Sequence, residues 1–269
     1  MYYFRGTSSN AMYLYPLLKN THLIFIFLIC AFLQAHQPAK PRFRALALAE
    51  KGGHHLSYSK AARVWLNQLA ADSNFTIDYI DNTDRIDSAF LSDYQLFIQL
   101  DYPPYGWTER AVKAFEQYIN EGRGGWVGFH HATLLGEFDG YSIWPWFYAF
   151  MGQIRFKDYI PDFATGHVWV EDTVHPVMKG LPAVFTVQTE EWYTYDKSPR
   201  PQVKVLARVD EQSYNPPSDK IMGDHPVIWT NPAYKSRNIY IFMGHSPDLF
   251  QNKAYLQLFK NAIFWASGL

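Results

Sequence analysis

Two adjacent histidines, His130 and His131, have the clearest chemical potential in this sequence because of where they stand. They end the glycine-rich apolar segment Gly124–Phe129, which follows a helix-like stretch from Thr108 to Glu121 and a closing glycine, Gly122. Ligands of open α/β sheets bind at the carboxyl ends of the strands, where an imidazole can act as a base, an acid or a metal ligand. Satisfying loop carbonyl groups is the alternative role, but this position favours a functional role for at least one of the two.

Other polar residues follow the same rule, since each comes after an apolar, strand-like segment. They are His54 and His55 after Phe43–Ala49, Asp101 after Tyr94–Leu100, and His245 after Asn238–Met243. Because loops at the carboxyl ends of parallel strands meet along one edge of the sheet, we expect these groups to share a pocket with His130.

The strand-like segment Phe185–Tyr195 is interrupted by two acids, Glu190 and Glu191. Neighbouring strand residues point to opposite faces, so at most one of the two carboxylates should enter the pocket, and both could instead face solvent. By the same rule we expect His131 to matter less than His130. Trp192 and Tyr193 could stack on a sugar ring, although large aromatic side chains are more often part of the core.

Imidazoles and a carboxylate suit either a divalent ion such as zinc or manganese or metal-free acid–base catalysis. The candidate catalytic residues, and equally the candidate metal ligands, are His55, His130, Glu191 and His245. The candidate substrate-binding residues are His54, Asp101, His131, Trp192 and Tyr193. No spacing of the H-E-x-x-H kind is present, so the sequence leaves both chemistries open. His175 and His225, each followed by proline, are assigned to turns.

The elements that must position these residues alternate between strand and helix in the first half of the chain. This order predicts an α/β fold with a mostly parallel sheet and helices on both faces. The second half is richer in strands, and a closing helix over Lys253–Ala266 ends before Gly268. Further strands are predicted at His167–Glu171, Val203–Val209 and Val227–Trp229. An aromatic cluster from Trp144 to Phe150 receives no element.

Residues 1–35 have the pattern of a secretory signal peptide, with a basic flank, an apolar run over Leu23–Leu33 and Ala35 before the expected cleavage site. The start is either Met1 or Met12. Cys30 follows a bulky isoleucine, which argues against lipidation. We therefore expect an exported protein, periplasmic or secreted, with a single domain over residues 36–269 and no membrane span.

Cleavage would remove Arg5, Lys19 and the sole cysteine, Cys30. The mature chain would then carry 22 basic and 25 acidic residues, a net charge of −3, because 24 minus 2 is 22 and no acid is lost. Without a basic stripe, nucleic acid is not an expected partner. Without cysteine, the domain can form no disulfide and holds no cysteine nucleophile.

An ordered series of motifs resembles the trehalose-utilisation, or ThuA-like, family from about Arg44 to Gly268. The motifs are Gly52–His55, Gly124–His130, His175–Pro182, Glu190–Tyr193, His225–Trp229 and Gly244–His245. The resemblance implies a flavodoxin-like fold of the class I glutamine-amidotransferase type without that enzyme's triad. His55 and His130 match the family histidines, whereas His131 is an addition and Glu190 replaces a frequent aspartate.

The resemblance also implies a role in the catabolism of disaccharides, linked to a sugar 3-dehydrogenase that oxidises the C3 hydroxyl to a ketone. The expected activity on a disaccharide or 3-keto-glycoside derivative is elimination and hydrolysis, or isomerisation, with a divalent metal as a possible cofactor. A non-catalytic carbohydrate-binding protein would use the same pocket. A cysteine-dependent amidotransferase is excluded because the only thiol lies in the signal segment.

Overall fold

The computed structural model describes residues 1–3, 6, 40–50, 54–101, 104–137 and 140–269. Two compact units are distinguished, Met1–Lys40 and Pro41–Leu269. The expected signal segment falls almost entirely outside the described residues, as do Gly52 and Gly53. In the part of the chain that the structure describes, no helix is both long and apolar enough to cross a bilayer.

The first half of the larger unit alternates between strands and helices as predicted. Its elements are β1 (Arg44–Leu48), α1 (Leu56–Ser73), β2 (Thr76–Ile80), α2 (Ser88–Leu91), β3 (Leu96–Gln99), α3 (Glu109–Asn120) and β4 (Gly125–Phe129). The predicted cap of α3 is observed, because the Thr108 hydroxyl accepts a hydrogen bond from the Ala111 amide. Gly122 follows that helix at φ +72°, a conformation that glycine adopts without strain.

The second half contains seven strands and two α-helices. They are α4 (Pro145–Phe150), β5 (Phe156–Tyr159), β6 (Ala164–Val170), β7 (Val184–Glu190), β8 (Tyr193–Tyr195), β9 (Lys204–Asn215), β10 (Pro226–Thr230), β11 (Asn238–Ile241) and α5 (Lys253–Ala266). The aromatic cluster without a predicted element forms α4, with Pro145 in the first turn, where a missing amide hydrogen costs nothing.

The nine-stranded sheet has the order β2-β1-β3-β4-β11-β10-β9-β6-β7, and β5 pairs with β8 separately. Strands β2 to β11 in that order pair in parallel, and the remaining neighbours pair antiparallel. The predicted strand Phe185–Tyr195 is therefore two strands in different sheets, because the chain leaves the large sheet after Glu190. The rest of the predicted α/β class, with a strand-rich second half, is confirmed.

Helices cover both faces of the sheet. On one face α1 and α5 contact each other through Trp65 and Phe259, whose ring centroids lie 4.8 Å apart. On the other face α3 packs on α4, where Phe115 meets Trp146 at 5.9 Å. Strands β1, β3, β4 and β11 lie between these layers and are almost wholly buried, as expected for parallel strands covered on both faces.

This topology decides where functional residues can meet. The strands β1, β3, β4 and β11 run in one direction, so their carboxyl ends share one edge. Four successive antiparallel pairings then return β7 to the direction of β11, and Glu190 at its end reaches the same edge. We call this edge the carboxyl edge of the sheet.

Close contact between β4 and α5 generates a stability prediction. A Cβ atom on Gly125 would lie 2.0 Å from the backbone oxygen of Ala266, which cannot rotate away. We expect Gly125→Ala to lower the free energy of unfolding by about 3 kcal/mol, the upper range for overpacking of a core. Urea denaturation measures it. Val64→Ala is the control, since Val64 is exposed on α1 and should cost less than about 0.5 kcal/mol; a similarly small loss for Gly125→Ala would contradict the argument.

Candidate functional site

His130 lies at the point where β4 turns into a 3₁₀ helix, His130–Thr133. Its φ is +31°, an uncommon value for a residue with a side chain. The segment after β11 leaves room for this sharp turn because residue 244 is a glycine. A Cβ atom on Gly244 would lie 2.9 Å from the Phe129 Cβ and 3.0 Å from the His130 Cβ. A sharp, strained turn that follows a strand is also how α/β-hydrolases expose their nucleophile. Here the turn presents an imidazole.

Hydrogen bonding fixes the orientation of the His130 ring. Its Nδ1 lies 3.0 Å from the carbonyl oxygen of Phe242, which can only accept, so Nδ1 carries the proton. The other nitrogen, Nε2, then presents its lone pair to the Glu191 Oε2, 3.3 Å away. Two electron pairs that face each other at this distance require a proton or a cation between them.

His55 is held in the same way from the first turn of α1. Its Nδ1 lies 3.2 Å from Asp101 Oδ1, and both side chains are fully buried. The other ring nitrogen, Nε2, faces His245 Nδ1 at 2.9 Å. Asp101 thus lies behind the imidazole, where it orients the ring, and its carboxylate faces histidines rather than an open cavity.

His245 completes the cluster. Its Nδ1 is 3.2 Å from the same Glu191 Oε2 that His130 approaches, so three imidazoles and one carboxylate oxygen are joined by distances of 2.9, 3.2 and 3.3 Å. Ligand atoms held about 2.0–2.1 Å from a tetrahedral metal ion are separated by about 3.3 Å. Two groups of three residues have all their ligand atoms within 4.8 Å of one another: His55, His130 and His131, and separately His130, Glu190 and His245. We call His55, His130, Glu191 and His245 the imidazole site; the structure brings these four predicted residues together.

His131 also belongs to this cluster, contrary to the expectation that it would face away. Its ring stacks on His55 at a centroid distance of 3.5 Å and an angle of 21°, and its Nδ1 lies 3.8 Å from Asp101 Oδ1. The strand rule fails here because both histidines stand in the 3₁₀ turn, where side chains do not alternate between two faces.

Glu190 has a separate role from Glu191. Its buried carboxylate accepts hydrogen bonds from three backbone amides: Glu191, Gly244 and His245. It also lies 3.8 Å from His130 Nδ1. Burial raises the pKa of Glu190, and the three amides oppose that rise. Glu191 instead directs its Oε2 to His130 Nε2 and His245 Nδ1.

Burial sets the charge of the site. It lowers the pKa of His55 to about 4, in spite of the opposing hydrogen bond to Asp101, and it lowers the pKa of His130 and of His131. Burial alone would raise the pKa of Glu191, but its contacts with His130 and His245 outweigh that effect and lower it. At neutral pH His55 and His130 therefore present neutral imidazoles beside the Glu191 carboxylate, which is the state a metal ion requires of such ligands.

Three predicted substrate-binding residues lie in different surroundings. Tyr193 forms a wall of the site, with its ring centroid 4.3 Å from that of His130. Trp192 is 1% exposed, donates to the Ala164 carbonyl and stacks on Phe242, so it is a core residue and cannot be a sugar platform. His54 is exposed beside α1 and is not brought into the cluster.

The two histidines assigned to turns lie away from the site. His175 caps a short 3₁₀ helix by accepting from the Val177 amide. His225 is buried, with Nδ1 3.0 Å from Glu211 and 3.2 Å from the Tyr214 hydroxyl. Its Nε2 has no hydrogen-bond partner among the described residues.

Two residues at the carboxyl edge escaped sequence reasoning. Glu50 follows β1 and accepts a hydrogen bond from Trp107 Nε1 at 3.2 Å. Burial, reinforced by the charge of Asp101, raises its pKa to about 7. Phe163 is 44% exposed, and its ring centroid lies 5.1 Å from that of His245. Position after β1 was the sole signal for Glu50, and nothing in the local sequence marks Phe163.

The comparisons with known proteins identify the family and the fold. The family model described as "ThuA: Trehalose utilisation" matches residues 44–266. A ThuA-like protein from Bacteroides uniformis is 31% identical, with a TM-score of 0.76, over 86% of this chain and 94% of that chain. A second, from Parabacteroides merdae, is 20% identical, with a TM-score of 0.62, over 85% and 90% of the two chains.

A more distant fold match is a β-galactosidase from Bacillus circulans sp. alkalophilus. It is 14% identical, with a TM-score of 0.51, over 82% of this chain and 30% of that chain, and it shows likeness of fold alone. No curated protein matches this chain.

The raised pKa of Glu50 predicts a pH-dependent stability difference. A carboxyl that binds its proton more tightly when folded contributes stability below its unfolded pKa, and that stability is lost as the pH rises through 7. Glu50→Gln, which carries no charge at any pH, should therefore gain on the order of 2 kcal/mol relative to wild type between pH 5 and pH 8. Denaturant unfolding at both values measures this. The control is Glu109→Gln, since the Glu109 side chain is 94% exposed. The prediction would be contradicted if Glu50→Gln differed from wild type in the free energy of unfolding by the same amount at pH 5 and pH 8.

Proposed function

Since this chain belongs to the ThuA, or trehalose-utilisation, family, we propose that it is an enzyme of carbohydrate catabolism that acts on a disaccharide or 3-keto-glycoside derivative at the imidazole site. One observation carries the proposal. Ring nitrogens of His55, His130 and His245 and the Glu191 carboxylate converge at the carboxyl edge of the sheet, where α/β folds bind their ligands.

The residues of the imidazole site fit a divalent metal ion. His130 Nδ1 lies 3.0 Å from the Phe242 carbonyl oxygen and His55 Nδ1 lies 3.2 Å from Asp101 Oδ1, and an oxygen behind each ring is the outer-shell pattern of metal-bound histidines. His55, His130, His245 and Glu191 would hold the ion. When bound, it would polarise a substrate carbonyl and stabilise negative charge that develops on its oxygen.

Exposure separates the residues that hold from those that react. The side chains of His55 and His130 are 0% and 1% exposed, whereas those of His245 and Glu191 are 12% and 16% exposed. Substrate can therefore reach Glu191 and His245 first. Glu191 carries a negative charge and is one of the two groups that substrate can reach, so we assign it as the base, and Tyr193 beside it forms the wall.

A ketone at C3 makes the hydrogen on C2 acidic, and this supplies the reaction. With the site free of metal, Glu191 would remove that proton, and the electrons of the C2–H bond form a C1–C2 double bond. The glycosidic oxygen leaves C1 and takes up a proton from His245, which recovers one from Glu191 across their 3.2 Å contact. Water then adds across the double bond to complete hydrolysis. Return of the proton to the other face of C2 would instead give isomerisation. An oxidoreductase acting on the C3 hydroxyl would have to supply this substrate.

Turnover of 3-keto and ordinary disaccharides, with and without a chelator, tests the proposal. We expect His130→Ala and Glu191→Gln to lower the rate about a hundred- to ten-thousand-fold, the usual contribution of a positioned acid–base group. His131→Ala should also lower the rate, because its ring supports His55. His54→Ala is the matched control and should retain activity. Full activity of the His130 variant would refute the mechanism, and wild-type binding without turnover would favour a carbohydrate-binding protein.

Metal binding has a readout that does not depend on activity. Calorimetric titration of the metal-free protein with Zn²⁺ or Mn²⁺ should show one site, because the nitrogen and oxygen atoms of the imidazole site already lie close together. We expect His130→Ala to weaken binding at least about tenfold and His54→Ala to leave it unchanged. Equal affinity of the two variants would place the metal elsewhere and leave acid–base catalysis by the side chains alone.

Export is the second part of the proposal. The apolar run Leu23–Leu33, followed by Ala35, supports secretion to the periplasm or medium. Cell fractionation should find the protein outside the cytoplasm, with a mature N-terminus near His36. N-terminal sequencing that finds residues 12–33 retained would contradict it.

A further inference from the structure

A cavity of about 550 Å³ lies beside the imidazole site, between the first turns of α1 and the loop that follows β2. Its volume is in the range of small-molecule sites. Ala49, Leu100 and Asp101 form its floor at the carboxyl edge. Asp101 also contacts His55 and His131, so this cavity and the imidazole site share a wall.

Three cations line the cavity: Lys60 and Arg63 from α1 and Arg85 from the loop after β2. Among the described residues none of the three has a carboxylate partner within 4.0 Å. The acids that face the same space are Asp81 and Asp101. Since Asp101 is engaged with two imidazoles, the positive charge of the cavity exceeds the negative charge available to balance it.

Aromatic rings hold the two arginines in place. The Arg63 guanidinium lies 4.3 Å from the centroid of Tyr79, and that of Arg85 lies 4.9 Å from the centroid of Phe90. Tyr79 is itself fixed by a 2.8 Å hydrogen bond to Asn67. A guanidinium stacked on a ring keeps its N–H groups free at the edge, where they can form paired hydrogen bonds with a carboxylate or phosphate.

The cavity wall also holds a polar group without a partner. The Ser59 Oγ is buried and forms no hydrogen bond with the described residues. A buried hydroxyl left unsatisfied costs free energy, and an oxygen-rich ligand in the cavity would remove that cost.

From these features we propose that the cavity binds an anionic group, a carboxylate or a phosphate, carried by the glycoside whose reacting sugar occupies the imidazole site. Binding of an anionic group is inferred from the cavity alone. The statement that this group belongs to the reacting glycoside rests on the proposed function. It assigns the substrates to the class of acidic glycosides. Arg63 and Arg85 are then specificity residues, and neither touches the reacting carbons.

Binding of simple sugars tests the cavity without any turnover. NMR titrations of the full chain with glucuronate, glucose 6-phosphate and glucose should give affinities at least about tenfold higher for the acids, the contribution of one charge-assisted hydrogen bond. The stronger of the two acids identifies the anionic group. Raising the salt concentration should weaken the binding of the two acids and leave the affinity for glucose unchanged.

Variants locate the effect. Arg63→Gln and Arg85→Gln should each reduce the affinity of the acids toward that of glucose. Arg155→Gln is the matched control, because Arg155 is an exposed arginine 5.8 Å from the Tyr148 ring and outside the cavity. The proposal would be overturned if the protein bound glucose and the acids with equal affinity. It would also be overturned if neither Arg63→Gln nor Arg85→Gln changed the affinity for the acids. Tight binding of the acids without turnover of any 3-keto glycoside would leave the cavity established and refute the proposed enzyme.

Discussion

The geometry of the site depends on the hydrogen bonds that the buried carboxylate of Glu190 accepts. Glu190 ends β7, the last strand in the sheet order. Its carboxylate nevertheless accepts hydrogen bonds from the backbone amides of Gly244 and His245, which follow β11. Three strands, β10, β9 and β6, separate β7 from β11 in the sheet. The end of the sheet that contains β7 must therefore fold back over the carboxyl edge. This contact fixes the backbone that carries His245, and the third hydrogen bond, from the Glu191 amide, fixes the backbone that carries Glu191.

Burying several imidazoles together is costly, and the surroundings show how the fold compensates. Each ring that the structure buries has one nitrogen directed to an oxygen, the Phe242 carbonyl for His130 and Asp101 for His55. The opposite nitrogen is left with a lone pair directed to the site centre. The arrangement sacrifices stability, because polar groups that could face water are desolvated instead. Such concentrations of strained and perturbed groups are typical of functional sites.

Sequence reasoning predicted the elements with strong periodicity and the edge at which the site lies. The helix Lys253–Ala266 was predicted to the residue, and the ends of β1, β3, β4 and β11 were placed within about two residues, the usual uncertainty of such boundaries. Strand-end position was the signal for His55, His130 and His245, whereas Glu191 was predicted as an acid that interrupts the strand-like segment Phe185–Tyr195. It could not show that the antiparallel strands return Glu190 to that edge, because this depends on contacts between residues 54 or more positions apart.

Its errors have a common physical origin in the ends of strands. The alternation of side chains applies only while the backbone remains extended, and at His130 the φ of +31° ends that regularity. His131 is therefore stacked on His55 rather than turned away. Trp192 fails as a sugar platform for a similar reason, since the chain leaves β7 at Glu190 and buries the indole against Phe242. The raised pKa of Glu50 depends on burial and on the charge of Asp101, 51 positions away, which together outweigh the opposing hydrogen bond from Trp107. Strand ends are where the local pattern loses its predictive force and where an α/β fold places its chemistry.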